Sequence, residues 1–323
     1  FHHGEHSDIG SNPACNDVNR GEGVRMATSS VTLLGVGKMG AAFVDRWTAA
    51  GRPVVLWNRT ISAAEALSGP LVSVAGTPDA AAASSPVVVT MVMNGAALRT
   101  VLIDHGALAA MAPGSVLVDL STVDVESSEE IAAAAASAGI AYVRGAVSGT
   151  PPVVRGGNAA LLLSGTADAI ALAQPVLDEL APQHAVVGEG EQARVVKIAI
   201  NAMLGGTMQL LAEAVAVAEA SGVPRETFLD AVDVSVLGSR FIAYKGAALR
   251  QRDYTPTFST SGMKKDLALA TEQAARVGTR LPLADVVLAQ LSKAVESGYA
   301  DDDFLSLMCL QQETGGVTKD MEH

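Results

Sequence analysis

Cysteine is almost absent from this chain: Cys15 and Cys309, near opposite ends, are the two in 323 residues. That excludes a disulfide framework and a cysteine metal site, and a reducing, cytoplasmic location is expected. Histidine is scarce too. Three of its six copies are His2, His3 and His6, and no metal is expected. Long apolar runs are also missing. Hydrophobic residues reach 49%, but much of that is alanine and no stretch approaches the ~18 uninterrupted apolar residues of a span. A soluble globular protein with no membrane partner is the expectation. Basic residues are in deficit, 22 against 34 acidic ones, for a net charge of −12. Such a body repels phosphate backbones, so no nucleic acid is expected, although a local cationic pocket for a phosphorylated cofactor stays open. Residues 1–25 lack the apolar core of a secretory signal and are expected to form a flexible extension.

From residue 31 onward, short apolar runs alternate with alanine-rich amphipathic segments. Strands are expected at Ser30–Leu34, Pro53–Trp57, Val72–Val74 and Pro86–Val92, with helices at Met39–Ala50, Ala63–Ser68 and Thr77–Ala83 between them. A helix, the run Gly114–Asp119, helix Glu126–Ala138 and strand Ala141–Arg144 repeat the unit. Leu161–Ser164 and Ala185–Val187 add further strands. Strands separated by helices imply a parallel sheet covered on both faces. After about Gly188 every segment reads as helix: Arg194–Ser221, Arg225–Val232, Arg240–Arg250, Lys264–Val277, Leu283–Ser297 and Phe304–Gln311. Gly222, Gly278 and Gly298 stand where helices end, and Asp303 where one starts. The division expected is 26–190, 191–312 and a tail over 313–323.

The stretch Leu33–Gly40, LLGVGKMG, follows a strand and opens a helix. Gly35 suits a tight turn, Gly37 a close approach of backbone to pyrophosphate, and Gly40 close helix–strand packing. Lys38 and Met39 add N–H groups at the helix N-terminus. A βα turn without ligand is the alternative. The second strand ends in Trp57-Asn58-Arg59-Thr60, with no carboxylate to accept from a ribose 2′-hydroxyl. Arg59 can clamp a 2′-phosphate, while Asn58 and Thr60 can donate to it, so NADP(H) is preferred over NAD(H). Arg59 on a solvated surface is the competing reading. Met91 and Val92, at the end of a strand, and Thr122, after Asp119-Leu120-Ser121, are further cofactor candidates. The residues around Thr122 also suit a helix N-cap, and the two roles are compatible. Lys197 and Asn201 lie four apart among apolar neighbours and share one helical face. A desolvated lysine exchanges protons readily, and Asn201 can hold either it or a substrate oxygen. A polar pair at a domain seam is the alternative.

Taken in order, Gly35–Gly40, Asp119–Thr122, Val147-Ser148-Gly149, Lys197 with Asn201, and Lys264-Lys265-Asp266-Leu267 resemble the β-hydroxyacid dehydrogenases. This family includes 3-hydroxyisobutyrate, tartronate-semialdehyde and glyoxylate/succinic-semialdehyde reductases, and the resemblance runs from about Val31 to Gln311. It implies a Rossmann-type α/β domain followed by an all-α C-terminal domain, with the active site between them. It also implies Lys197 as proton donor or acceptor, Asn201 orienting it, Ser148 and Gly149 on the substrate carboxylate, and Lys265 and Asp266 near the cofactor. Homodimers or homotetramers are implied as well, with helices such as Gln209–Gly222 packing across subunits. A long helix central to a monomer is the other possibility.

One stretch departs from the family. Thr150 replaces a second glycine, and Pro151-Pro152 follow, as in the similar loop of imine reductases. A Cβ at Thr150 restricts capture of a carboxylate by bare amides. Imine reductases commonly carry Asp or Tyr where Lys197 stands, and lysine favours the hydroxyacid reading. The expectation is therefore an NADPH-dependent reductase of a small aldehyde or keto acid. Reduction of cyclic imines is the alternative, and a non-catalytic NADP-binding interaction protein the remote one. Phe241, with Ser235 and Tyr244, is expected to line the substrate pocket.

Overall fold

The β-branched runs form the middle of one eight-stranded sheet. The computed structural model describes residues 29–315. The strands are β1 (Val31–Leu34), β2 (Val54–Trp57), β3 (Val72–Val74), β4 (Val87–Thr90), β5 (Val116–Asp119), β6 (Ala141–Ser148), β7 (Ala160–Ser164) and β8 (Gln183–Gly188). Their spatial order is β3-β2-β1-β4-β5-β6-β7-β8. One pairing corrects the expectation of a parallel sheet: β7 runs antiparallel to β6. The β6–β7 connection holds only the short helical turn Pro151–Arg155, too little to carry the chain back for a parallel crossover.

Both faces are buried, which is why the strands read as continuous apolar runs. Val31, Leu33, Val87, Val89, Val116 and Val118 pack under α1 (Lys38–Ala49) and the helix Ala167–Leu180. Leu34, Val88 and Leu117 point the other way, toward α2 (Val125–Ser137); the helix Ala167–Leu180 is α3. Because β1 sits between β2 and β4, the chain changes direction beside it. The crevice outside the strand ends at this switch point is where such sheets place ligands.

The helical half is α4 (Gln192–Ala220), α5 (Arg225–Val234), α6 (Arg240–Gln251), α7 (Thr260–Arg276), α8 (Pro282–Ala294) and α9 (Leu307–Gly315). By length and composition α4 would pass for a membrane span. Here it is the central helix, touching β6, β7 and β8 and then α5, α7, α8 and α9. Gly222 and Gly278 end helices at φ +82° and +74°. Gly298, at φ +98°, breaks the helical conformation just past the expected end at Ser297: α8 is α-helical to Ala294 and continues as the π-turn Val295–Tyr299. The fold is thus a Rossmann domain followed by an all-helical one. The extension expected over 1–25 lies outside the described residues, as does 316–323, and the chain is helical to Gly315.

Candidate active site

Leaving β1, the chain turns at Gly35 with φ +105°, and a Cβ there would strike the Met91 carbonyl. A Cβ on Gly40 would lie 2.6 Å from the Gly35 carbonyl oxygen, whereas one on Gly37 would meet nothing within 4 Å. The first two glycine sites are closed by protein and the third faces open space, as a bound anion requires. Gly37 is the N-cap of α1 and gives it no side-chain cap, so the first-turn N–H groups are open to a pyrophosphate. A cavity of about 520 Å³ lies there, lined in part by Gly37, Lys38, Leu67, Pro152, Arg155 and Thr257. Lys38 brings a cation to it, and Arg155 a second one that is paired with Asp45. Asn58 ties the end of β2 to the glycine turn: its Oδ1 accepts from Val36 N at 3.0 Å, and its Nδ2 donates to the Thr60 carbonyl at 2.9 Å. Arg59 and Thr60 are exposed, and Arg59 has no hydrogen-bond or ion-pair partner among the described residues.

Across the crevice the ends of β4 and β5 are cross-tied. Thr90 Oγ1 and Ser121 N both donate to Asp119 Oδ1, at 2.6 and 3.0 Å, and Val92 N donates to Ser121 Oγ at 2.9 Å. From the helical half, Lys265 Nζ donates to the Thr122 carbonyl at 2.6 Å and lies 2.9 Å from Asp266 Oδ1. Asn201 Nδ2 donates to Asp266 Oδ2 at 2.5 Å. A carboxylate only accepts, so this bond fixes the amide orientation. Asn201 Oδ1 is left buried with no protein partner among the described residues. Lys197 Nζ donates to the Val147 carbonyl at 2.9 Å. Burial pushes this ammonium below the ordinary lysine value of 10.5; Asp266 pulls it back up, and Lys265 adds to the depression. The result is a proton donor that releases its proton more readily than a solvated lysine.

Lys197, Asn201, Asp266, Lys265, Thr122 and Val92 are therefore linked at one seam, with the Gly35 turn alongside. Ser148 is exposed at the end of β6, next to the Val147 that holds Lys197. Gly149 follows at φ +152°, and Thr150 Oγ1 is buried without a protein partner among the described residues. Pro151 opens the helical turn that Arg155 fastens to Asp45 of α1 at 2.7 Å. Met39 and Met91 pack on one core of the sheet and Val92 on the other. Phe241 has its ring contact on the helical side, stacked on Phe304 at 6.3 Å, while Ser235 and Tyr244 are exposed.

Sequence reasoning passed over Arg194, on α4 one turn before Lys197. Its Nη2 donates to Asp119 Oδ2 at 2.6 Å and to Tyr142 Oη at 3.2 Å; its Nη1 reaches the carbonyls of Ser121 at 2.6 Å and Gly145 at 3.1 Å. The one available signal was a charged residue at the i−3 position of Lys197. Thr255–Thr257, which bring the helical half to the glycine-turn cavity, had no such signal.

Residues 30–188 match the family model for the NAD binding domain of 6-phosphogluconate dehydrogenase. Residues 191–310 match that for NAD-binding of NADP-dependent 3-hydroxyisobutyrate dehydrogenase. The chain is 30% identical to the uncharacterized oxidoreductase YfjR of Bacillus subtilis, over 86% of this chain and 98% of that protein. Mycobacterium tuberculosis 3-hydroxyisobutyrate dehydrogenase, solved with L-serine, is 27% identical with a TM-score of 0.79, covering 87% of this chain and 98% of that one. An imine reductase from Myxococcus stipitatus in complex with NADP+ is 25% identical with a TM-score of 0.60, covering 86% and 98%.

Proposed function

The chain belongs to the β-hydroxyacid dehydrogenase family, and we propose that within it this protein is an NADPH-dependent reductase of a small aldehyde or keto acid, reversible toward the hydroxy acid. The observation that carries this reading is the half-buried Lys197 ammonium on the Val147 carbonyl, at the seam where the sheet crevice meets the helical half. The glycine turn, the uncapped start of α1 and Lys38 would hold the dinucleotide pyrophosphate. Arg59, exposed beyond β2 where no carboxylate stands, supports a 2′-phosphate. When bound, the nicotinamide supplies or accepts the hydride.

The protein's own part is position and a proton. Lys197 gives its proton to the carbonyl oxygen in reduction and takes it back in oxidation. Asp266 keeps that lysine charged against the cost of burial, and the orphaned Asn201 Oδ1 accepts from the hydroxyl that forms. Ser148 and Gly149 flank the substrate carboxylate.

Lys197→Ala is expected to lower turnover about 100-fold or more while NADPH affinity stays within about threefold of the parent. Near-normal turnover would remove Lys197 from this role. For the parent, reductive turnover should fall as pH rises through the Lys197 pKa, below 10.5, because the ammonium is the acid. A panel of semialdehydes, keto acids and cyclic imines with NADPH and NADH decides the substrate. Faster reduction of a cyclic imine would favour the proline-bearing loop Thr150–Arg155 as the mark of an imine reductase. Tight NADPH binding with no turnover on the whole panel would favour a non-catalytic role.

A further inference from the structure

Helix α4 crosses from one half of the protein to the other, and in its first turn a charged side chain, Arg194, is buried as deeply as the alanine beside it, Ala193. The Arg194 side chain is 1% exposed and that of its partner Asp119 is 0% exposed. Besides its four bonds to Asp119, Tyr142, Ser121 and Gly145, the guanidinium donates from Nε to Ser128 Oγ and from Nη1 to the Asp119 carbonyl, each at 3.3 Å. All of these partners belong to the Rossmann half. Burial disfavours the cation, but Asp119 and Tyr142 outweigh it and hold the guanidinium pKa above the ordinary arginine value. Two of the groups it grips lead straight to the site. Asp119 Oδ1 accepts from Ser121 N, and Ser121 Oγ accepts from Val92 N. The residue after Ser121 is Thr122, whose carbonyl accepts from Lys265.

We propose that Arg194 is the positioning residue that sets Lys197 against the β4–β5 crevice, holding the first turns of α4 to the strand ends that carry Val92 and Thr122. This rests on the proposed reductase reading. A planar fork suits the task because it holds several acceptors in fixed directions, which a lysine ammonium on a flexible stem does not. Small displacements of a proton donor are costly to a reaction that depends on aligned atoms.

Two variants test it. Arg194→Lys keeps a cation beside Asp119 and gives up the fork. The pair Arg194→Met with Asp119→Asn removes both buried charges together. The amide oxygen that the second substitution leaves still accepts from Thr90 and Ser121, so the sheet end stays closed. With the substrate found for the parent, kcat should fall tenfold or more in each. NADPH affinity should stay within about threefold, and the isotope effect with 4-deuterated NADPH should rise as hydride transfer becomes rate-limiting. Amide exchange should speed up over residues 192–201 and stay unchanged over β1 and β4. Parent-like kcat with parent-like exchange in either variant overturns the proposal, as does a loss of kcat matched by an equal loss of NADPH affinity. The exchange measurement needs no turnover. A parent inactive on every substrate therefore counts against the reductase reading, while accelerated exchange still supports the role of Arg194.

Discussion

Asn58 uses both ends of its amide within the protein, one on Val36 N and one on the Thr60 carbonyl. Aspartate at this position would keep the first bond, because a carboxylate oxygen accepts as well as an amide oxygen, so the glycine turn would survive. What changes is the bond to the Thr60 carbonyl, which a carboxylate cannot donate, and a negative charge beside the ribose, which repels a 2′-phosphate and accepts from a 2′-hydroxyl. Asn58→Asp is therefore expected to move the ratio of kcat/KM for NADPH over NADH toward NADH by at least tenfold, about 1.4 kcal/mol. An unchanged ratio would show that the selectivity lies elsewhere, with Arg59 the next group to alter. At this scale the sequence was legible where spacing alone decides. The four-residue interval of Lys197 and Asn201 puts them on one face. It says nothing of which acceptor each side chain finds, so the pairing of Asn201 with Asp266, 65 positions away, could not be read.

Among the elements, strands were legible because burial on both faces leaves an unbroken apolar run. Direction was not, because the same run serves either way: β7 is antiparallel to β6. Asp303 marks a similar limit. Its carboxylate accepts from Leu305 N at 3.2 Å, as an N-cap should. The same group also accepts from Lys245 Nζ at 2.6 Å, Thr257 N at 3.0 Å and Thr257 Oγ1 at 2.8 Å. One buried carboxylate thus fastens the Thr255–Thr257 segment that walls the glycine-turn cavity. The Lys245 and Asp303 side chains are 4% and 1% exposed. Lys245→Met would strand the carboxylate without its cation, a loss of about 3–5 kcal/mol. Chemical denaturation should show that loss. A change under about 1 kcal/mol would mean that the Thr257 and backbone bonds alone hold the charge.

On the scale of the whole molecule, the alternating half and the helical half follow from hydrophobic period, and at the seam between them Asp119, Arg194 and Asp266 are charged residues in buried positions. An apolar stripe on α4 lies beyond that account. Met203, Leu210 and Val217 on α4 are 71%, 56% and 67% exposed, spaced seven apart, with Ala214 exposed on the same face. Leu283 and Val286 of α8 are each 54% exposed. A central helix has no structural need for such a stripe, and residues repeating every seventh position form the narrow seam of helix packed on helix. We propose that a second copy of the chain covers it, because a twofold axis lets one stripe meet its own equivalent. Light scattering should then give a dimer or tetramer for the parent. Leu210→Glu, a charge placed in the middle of the stripe, should give a monomer at micromolar concentration with its far-ultraviolet dichroism unchanged. A parent that runs as a monomer, or a variant whose assembly is untouched, would leave α4 as the core helix of a single chain and require another occupant for the stripe.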